Sequence, residues 1–189
     1  MSHDPTALPA HLPTPVDDGA TDHLPGSVLP PLTLPATTGG VVDLRRLSTD
    51  RRLVVFAYPR TGRPGVDPPA GWDEIPGARG CTPQACAFRD LAAQFETLGV
   101  QVFGLSTQDP DYQHEVATRL HLPYSLLSDA ELRLTRALNL PTFEVDGMRL
   151  LRRLTMIIRS GVIERALYPV FPPDEAAVQA LSAVQALPR

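Results

Sequence analysis

Residues 53–58 (LVVFAY), closed by Pro59, are the stretch of this chain with the fewest ways to fold. The run is short, unbroken and rich in β-formers, which predicts a strand buried on both faces. Such a strand needs partners on each edge and apolar cover above and below. The following sequence supplies them in alternation. Phe88, Leu91, Ala92, Phe95 and Leu98 mark one face of a helix from Thr82 or Pro83 to Leu98, with Pro83 suited to its first turn and Gly99 to its end. Residues 100–105 read as a strand, 111–120 as a helix and 124–127 as a short strand, and Asp129 can cap a helix over 130–138. An irregular Asn139-Leu140-Pro141 leads to strands over 151–158 and 162–168, joined at Ser160-Gly161. A helix over 173–187 closes the chain, with Asp174 and Glu175 in its first turn as the helix dipole prefers. Upstream, residues 32–34 and 41–44 flank the turn Thr37-Thr38-Gly39-Gly40 and suggest a small hairpin. The order predicts an α/β fold, a central mixed sheet with helices on both faces.

At 189 residues the chain suits one domain. Residues 1–23 combine proline, acidic side chains and few large apolar groups, which predicts a flexible acidic tail before a folded unit over 24–189. The tail's His3, His11 and His23 lack a compact metal-ligand spacing and read as solvated residues. The 21 prolines cluster, eight before residue 36 and six from Pro59 to Pro83, so both stretches should be irregular. Of the 21 acidic residues four lie in the first 26 positions, where there is no Arg; the remainder balances its 17 basic residues, all Arg. That balance gives no basic surplus, so nucleic acid is not an expected partner. Six residues is far below the roughly 20 that cross a bilayer, and no basic-then-apolar start resembles a signal peptide. Neither membrane insertion nor secretion is expected.

The chemistry concentrates in Gly80-Cys81-Thr82-Pro83-Gln84-Ala85-Cys86-Ala87-Phe88-Arg89-Asp90, which holds both cysteines of the chain. Two cysteines with no nearby His do not make a four-ligand zinc site, and a redox role is the sharper reading. Cys81 falls where a glycine-containing loop enters a helix, where free N–H groups and the helix dipole favour a thiolate. It shares its azimuth with Phe88 and Phe95, whereas Cys86 lies about 140° round, near Arg89 and Ala93. One thiol should face a pocket and the other lie nearer solvent. In an intact helix the two Cα atoms would be roughly 8–9 Å apart, beyond the roughly 7 Å reach of a disulfide. Pairing them demands unwinding of the first helical turn, which has few intrahelical bonds to lose.

These residues resemble the Q-type peroxiredoxins, the group related to bacterioferritin comigratory protein. The resemblance rests on Tyr58-Pro59, Cys81-Thr82, Cys86 and Phe88-Arg89-Asp90. It continues through residues 102–106 (VFGLS), 122–129 (LPYSLLSD) and 153–158 (RLTMII), and so covers about residues 24–189. It implies a thioredoxin-like fold and reduction of hydrogen peroxide or organic hydroperoxides, with electrons from thioredoxin or a similar dithiol protein and no cofactor. By position, Cys81 resembles the peroxidatic cysteine, Cys86 the resolving cysteine of an intramolecular disulfide, and Arg153 the active-site arginine on the strand beside the pocket. Pro59 and Thr82 belong to the substrate-binding motif by the same resemblance. The resolving cysteine in the same chain leans towards a monomer, with a dimer as the alternative.

One departure stands out. Pro59 lies 22 positions before Cys81, an insertion of 15 relative to the family pattern, and the position expected to carry a hydroxyl is Ala78. Thr61 folding back from the start of the inserted loop, or Thr82, a backbone amide or Arg79, would have to stand in. The loop over residues 61–80 reads as a lid that shapes substrate access, with Trp72 packing it onto the body or, as the alternative, lining the pocket. Competing readings of the cysteine pair are a thiol–disulfide oxidoreductase, a non-enzymatic redox sensor and an inactive structural relative. A transient, catalytic disulfide suits a reducing cytoplasm.

Overall fold

The computed structural model describes residues 8, 9 and 11–188. The run that opened the sequence reading is β3 (Arg52–Ala57), the central strand of a five-stranded mixed sheet. It pairs in parallel with β4 (Val100–Ser106) and antiparallel with β8 (Leu154–Arg159). Outside these lie β5 (Ser125–Ser128), parallel to β4, and β9 (Val162–Leu167), antiparallel to β8. The sheet order is therefore β5-β4-β3-β8-β9.

Alternation along β3 divides the core in two. Val54, Phe56 and Tyr58 face α2 (Cys81–Asp90), α3 (Ala92–Thr97), α4 (Pro110–Arg119) and α6 (Ala176–Gln185). Leu53, Val55 and Ala57 face the chain over residues 24–34, α1 (Leu44–Leu47) and α5 (Arg133–Ala137). Phe56 carries α2 on the sheet: its ring stacks on Phe88 at 4.2 Å and 6°, with Tyr124 edge-on at 5.6 Å. Such aromatic pairs add about 0.5–1.5 kcal/mol each beyond the area they bury. The α/β architecture with a mixed central sheet is thus as the sequence predicts.

Four local expectations change. The helix expected over 82–98 is two, with a break one residue wide at Leu91. Leu91 N donates to Ala87 O and Phe95 N to Leu91 O across the break, so the spacing of Phe88 and Phe95 survives and periodicity cannot register it. Leu98, assigned to the buried stripe, is exposed. The strand expected over 151–158 is interrupted at Arg152 and Arg153. Its first part belongs instead to a separate hairpin, β6 (Thr142–Val145) with β7 (Met148–Leu151), which turns at Asp146-Gly147 with φ of 48° and 71°. Asp129 caps differently from expectation: its carboxylate accepts from the N–H groups of Leu134 and Thr135, one turn further on, because Leu132 is left-handed and α5 starts only at Arg133. The small hairpin is present but short, β1 (Leu34–Pro35) with β2 (Val41–Val42).

The N-terminal segment, expected to be a flexible tail, has packing partners over its described residues. Thr21 is buried, Pro15 lies against Gly77, and Leu8 lies against Gly80. His23 bonds through Nε2 to Leu138 O, and His3 lies outside the described residues.

Candidate active site

The site lies beyond the carboxyl ends of the parallel strands β3 and β4, the edge where open α/β sheets gather ligands. β3 runs out through Tyr58 and Pro59, both buried, to Arg60 and Thr61; β4 runs out through Ser106 to Gln108. Into this corner points the N-terminus of α2, with Cys81 its first residue. Gly80, which caps it, has φ +100°, and a Cβ there would run into Pro173 as well as Leu8. Only glycine suits a left-handed backbone packed that closely.

Cys81 is 3% exposed. Its Sγ receives two N–H donors, Arg60 N at 3.4 Å and Arg153 Nη2 at 3.3 Å, hydrogen bonds that a thiolate accepts well. Arg153 is equally buried. Its Nη2 also donates to the carbonyls of Gly77, Ala78 and Arg79 at 3.2, 3.3 and 3.0 Å, and its Nη1 to Gln84 Oε1. Among the described residues no carboxylate lies within ion-pair distance of Arg153. Buried charge is costly unless it is paired and hydrogen-bonded. The one group able to become an anion among the hydrogen-bond partners of this guanidinium is the Cys81 thiol. Arg153 reaches it from the irregular gap between β7 and β8, and not from a strand as expected, because Arg152 N turns to Pro141 O and leaves the ladder.

Cys81 opens into a cavity of about 30 Å³, by that measure room for one or two water-sized molecules. Thr61 and Thr82 share its wall. Both Thr61 N and Thr61 Oγ1 lie 3.0–3.1 Å from the same acceptor, Gln108 Oε1. The Thr61 hydroxyl therefore donates to Gln108 and keeps its oxygen lone pairs for a guest. Tyr112 OH and Gln108 Nε2 both donate to Thr61 O and fix the residue from the other side. Thr82 Oγ1 is buried without a hydrogen-bond partner. Ala78 places no hydroxyl here; its carbonyl is what meets Cys81 Sγ, at 3.5 Å, and Arg153. Arg79 pairs with Asp73 at 3.1 Å on the same wall.

The loop over residues 61–80 makes one short 3₁₀ turn (Trp72–Glu74) and docks on the β6–β7 hairpin: Trp72, 5% exposed, packs with Phe143 and Leu150. Trp72 also lines the cavity, so it both holds the loop down and shapes the pocket. The Arg60 and Arg63 guanidiniums lie 5.3 and 4.1 Å from the centroid of the Tyr112 ring.

Cys86 sits in the same helix, half-buried, away from the cavity wall. Burial pushes its thiol above the ordinary value of 9.0, and the nearby Asp90 adds to this while Arg89 opposes it. Burial likewise raises the Tyr58 phenol, with Cys81 as a contributing neighbour. Because α2 is continuous from Cys81 to Cys86, the two free thiols stand apart as the helical geometry dictates. The structure thus brings Cys81, Arg153, Thr61, Thr82 and Pro59 together and leaves Cys86 on another side of the helix.

Neither Gln84 nor Gln108 is marked out by the sequence as a site residue. Gln84 sits three residues after Cys81, one helical turn on, and this spacing was the available signal. Gln108 meets Thr61 across 47 positions, and nothing local announces it.

The sequence profile of the family described as Redoxin matches residues 24–182. Peroxiredoxin bcp1 of Schizosaccharomyces pombe is 32% identical over 136 residues, 71% of this chain and 62% of its own length. The chloroplastic Peroxiredoxin Q of Gentiana triflora is 31% identical over 160 residues, 85% of this chain and 66% of its own. The chain thus spans a little under two thirds of these curated relatives. The crystal structure of Peroxidoxin BcpB from Mycobacterium tuberculosis superposes with a TM-score of 0.70 at 27% identity, covering 88% of this chain and 99% of that one.

Proposed function

Because this chain belongs to the Redoxin family, among its Q-type peroxiredoxins, we propose that it is a thiol-dependent peroxidase with Cys81 as its nucleophile. The observation that carries the reading is the buried Arg153 guanidinium, which has the Cys81 thiol at 3.3 Å and no carboxylate among the described residues.

The Cys81 thiolate attacks one oxygen of a hydroperoxide; the O–O bond breaks, and the other oxygen leaves as alkoxide or hydroxide and takes a proton to become alcohol or water. Arg153 Nη2 and Arg60 N hold the sulfur and stand beside the charge that develops on oxygen. Thr61, with its proton given to Gln108, accepts the peroxide O–H, and Thr82 Oγ1 is a second polar contact on the cavity wall. Pro59, buried, closes the corner behind them, keeping water scarce around the sulfur.

The resulting Cys81 sulfenic acid condenses with the Cys86 thiol, releasing water and forming an intramolecular disulfide. A dithiol protein such as thioredoxin then returns two electrons and two protons. That cycle calls for a reducing compartment such as the cytoplasm, and it closes within one chain, so a monomer suffices.

The test is intact-mass spectrometry of the reduced protein after one equivalent of hydrogen peroxide. A loss of about 2 Da in the unmodified chain is expected, with about 16 Da or more added in Cys86→Ser and no change in Cys81→Ser. An unmodified chain that stays at its reduced mass over minutes overturns the reading in favour of a sensor or structural role. Repeated turnover with thioredoxin distinguishes an enzyme from a sensor that oxidises once.

A further inference from the structure

Resolution of Cys81 by Cys86 requires one end of α2 to unwind, and the two ends are held differently. The Cys86 end is pinned to the body. Tyr124 OH donates to Ala85 O at 2.7 Å, Arg89 Nη1 donates to Leu120 O at 3.1 Å, and Phe88 is stacked on Phe56. Cys81 must therefore be the thiol that travels, and its freedom depends on what holds the loop that leads into it.

Two glycines of that loop are covered from outside by the N-terminal segment. Gly77, whose carbonyl accepts from Arg153, has Pro15 against it: a Cβ built there would meet Pro15 Cβ and Cγ at 3.8 Å. Gly80, the cap of α2, has Leu8 within 2.9 Å of the corresponding position. Pro15 further lines a small cavity with Pro76, Arg153, Tyr168 and Val170, so it is packed into the back of the active site.

The segment has a firm root for this. Asp18 accepts from Ala20 N at 3.2 Å, and its carboxyl is held below the ordinary value chiefly by the neighbouring Tyr168 phenol, with Arg152 adding its charge. Asp22 N and Leu24 N close turns on Gly19 O and Thr21 O, Thr21 is buried, and Leu24 belongs to the core. Asp18, Gly19, Thr21 and Asp22 all precede residues 24–182 of the Redoxin match. The segment thus precedes the Redoxin match and returns to touch the loop beneath the nucleophile.

We propose that the described residues between 8 and 23 form a positioning strap that keeps the Cys81 end of α2 folded and so sets how fast the sulfenic acid is resolved. This rests on the peroxidase reading above. Two reactions compete for the sulfenic acid: condensation with the Cys86 thiol gives disulfide and water, while a second hydroperoxide gives the sulfinic acid and an alcohol or water. A tight strap holds the chain in its peroxide-reactive form and lengthens the life of the sulfenic acid. A loosened strap lets the first turn open sooner.

The experiment uses the full chain carrying Leu8→Ala/Pro15→Ala, and separately Asp18→Asn, an exposed near-isosteric change that leaves the core untouched. Each is treated with hydrogen peroxide, quenched in acid and followed by intact mass; each is also made in the Cys86→Ser background. Loosening the strap is expected to speed disulfide formation about fivefold and to lower the sulfinic acid formed in excess peroxide. In the Cys86→Ser background, the rate of Cys81 oxidation should change less than about twofold, since no strap residue bonds to Cys81 or Arg153. Amide hydrogen exchange at Gln84 and Ala85, whose N–H groups close the first turn of α2, should quicken in the same variants of the reduced protein.

Wild-type resolution rates together with unchanged exchange overturn the strap, as does an equal effect on oxidation and resolution, which would make the contacts merely structural. If Cys81 of the unmodified chain does not react with peroxide, the peroxidase reading fails. The exchange measurement then still decides whether the segment restrains the helix.

Discussion

Arg153 Nη2 lies 3.3 Å from Cys81 Sγ, although 72 residues separate the two in the chain. The same nitrogen collects three consecutive carbonyls, those of Gly77, Ala78 and Arg79. The guanidinium is thus a bracket: one arm reads the loop, the other reaches Gln84 on α2, and the sulfur sits between them. A planar fork does this where a single ammonium would not. Arg153→Lys should accordingly keep a charge near Cys81 yet lose the bracket. Its rate constant for Cys81 oxidation by hydrogen peroxide, read by rapid quench and mass, is expected to fall about 100-fold. Far-ultraviolet circular dichroism should remain that of the parent, and an unchanged rate constant would remove Arg153 from the reaction.

Thr61 is tested by what its oxygen accepts. Thr61→Val removes the acceptor and leaves Gln108 Oε1 with the Thr61 N–H alone, so peroxide kcat/KM is expected to fall about tenfold to hundredfold. Thr61→Ser restores the hydroxyl and should return the activity to within about threefold of the parent. A serine variant as slow as the valine one would point to the methyl group and to packing.

The Cys86 thiol is held above its ordinary value by burial, so at neutral pH it is almost wholly protonated. Raising a thiol's pKa lowers its thiolate fraction at a given pH, and the thiolate is the attacking form. Disulfide formation after a single peroxide addition should therefore quicken about tenfold per pH unit from neutrality and still be rising at pH 9. Arg89→Gln, which removes the neighbouring cation that favours the thiolate, should slow it at every pH on that limb. A plateau reached below pH 8 would contradict this.

Gly80→Ala places a side chain on a left-handed backbone at φ +100° and drives its Cβ against Pro173. The conformational part alone costs about 1–2 kcal/mol. With the added overlap, the thermal unfolding midpoint should drop by about 4–8 °C or more. Calorimetry that finds the variant as stable as the parent would mean that the loop re-forms around it.

Much of this was legible in the sequence, and what was not shares a cause. Residues 53–58 announce the central strand because burial on both faces leaves no polar position to confuse the pattern. Cys81, Cys86 and Arg153 stand out because their chemistry is rare. The β6–β7 hairpin is hidden although Asp146-Gly147 is a strong turn pair, because Leu151 continues the apolar pattern of residues 154–158 and masks the break at Arg152 and Arg153. Gln84 and Gln108 are ordinary residues whose meaning lies in a partner 69 or 47 positions away. The N-terminal segment misleads by composition: Leu8 and Pro15 are only half-buried, but they pack on glycines, where the backbone itself is the docking surface.

Trp72 is the single indole of the chain, and it sits in the wall of the Cys81 cavity, 6.1 Å from Phe143. Any rearrangement that draws Cys81 out of its corner alters the polarity around that ring and the quenchers within its reach. The protein thus carries its own optical reporter. Its emission should step once on oxidation and step back on reduction, giving the redox cycle a label-free signal in real time.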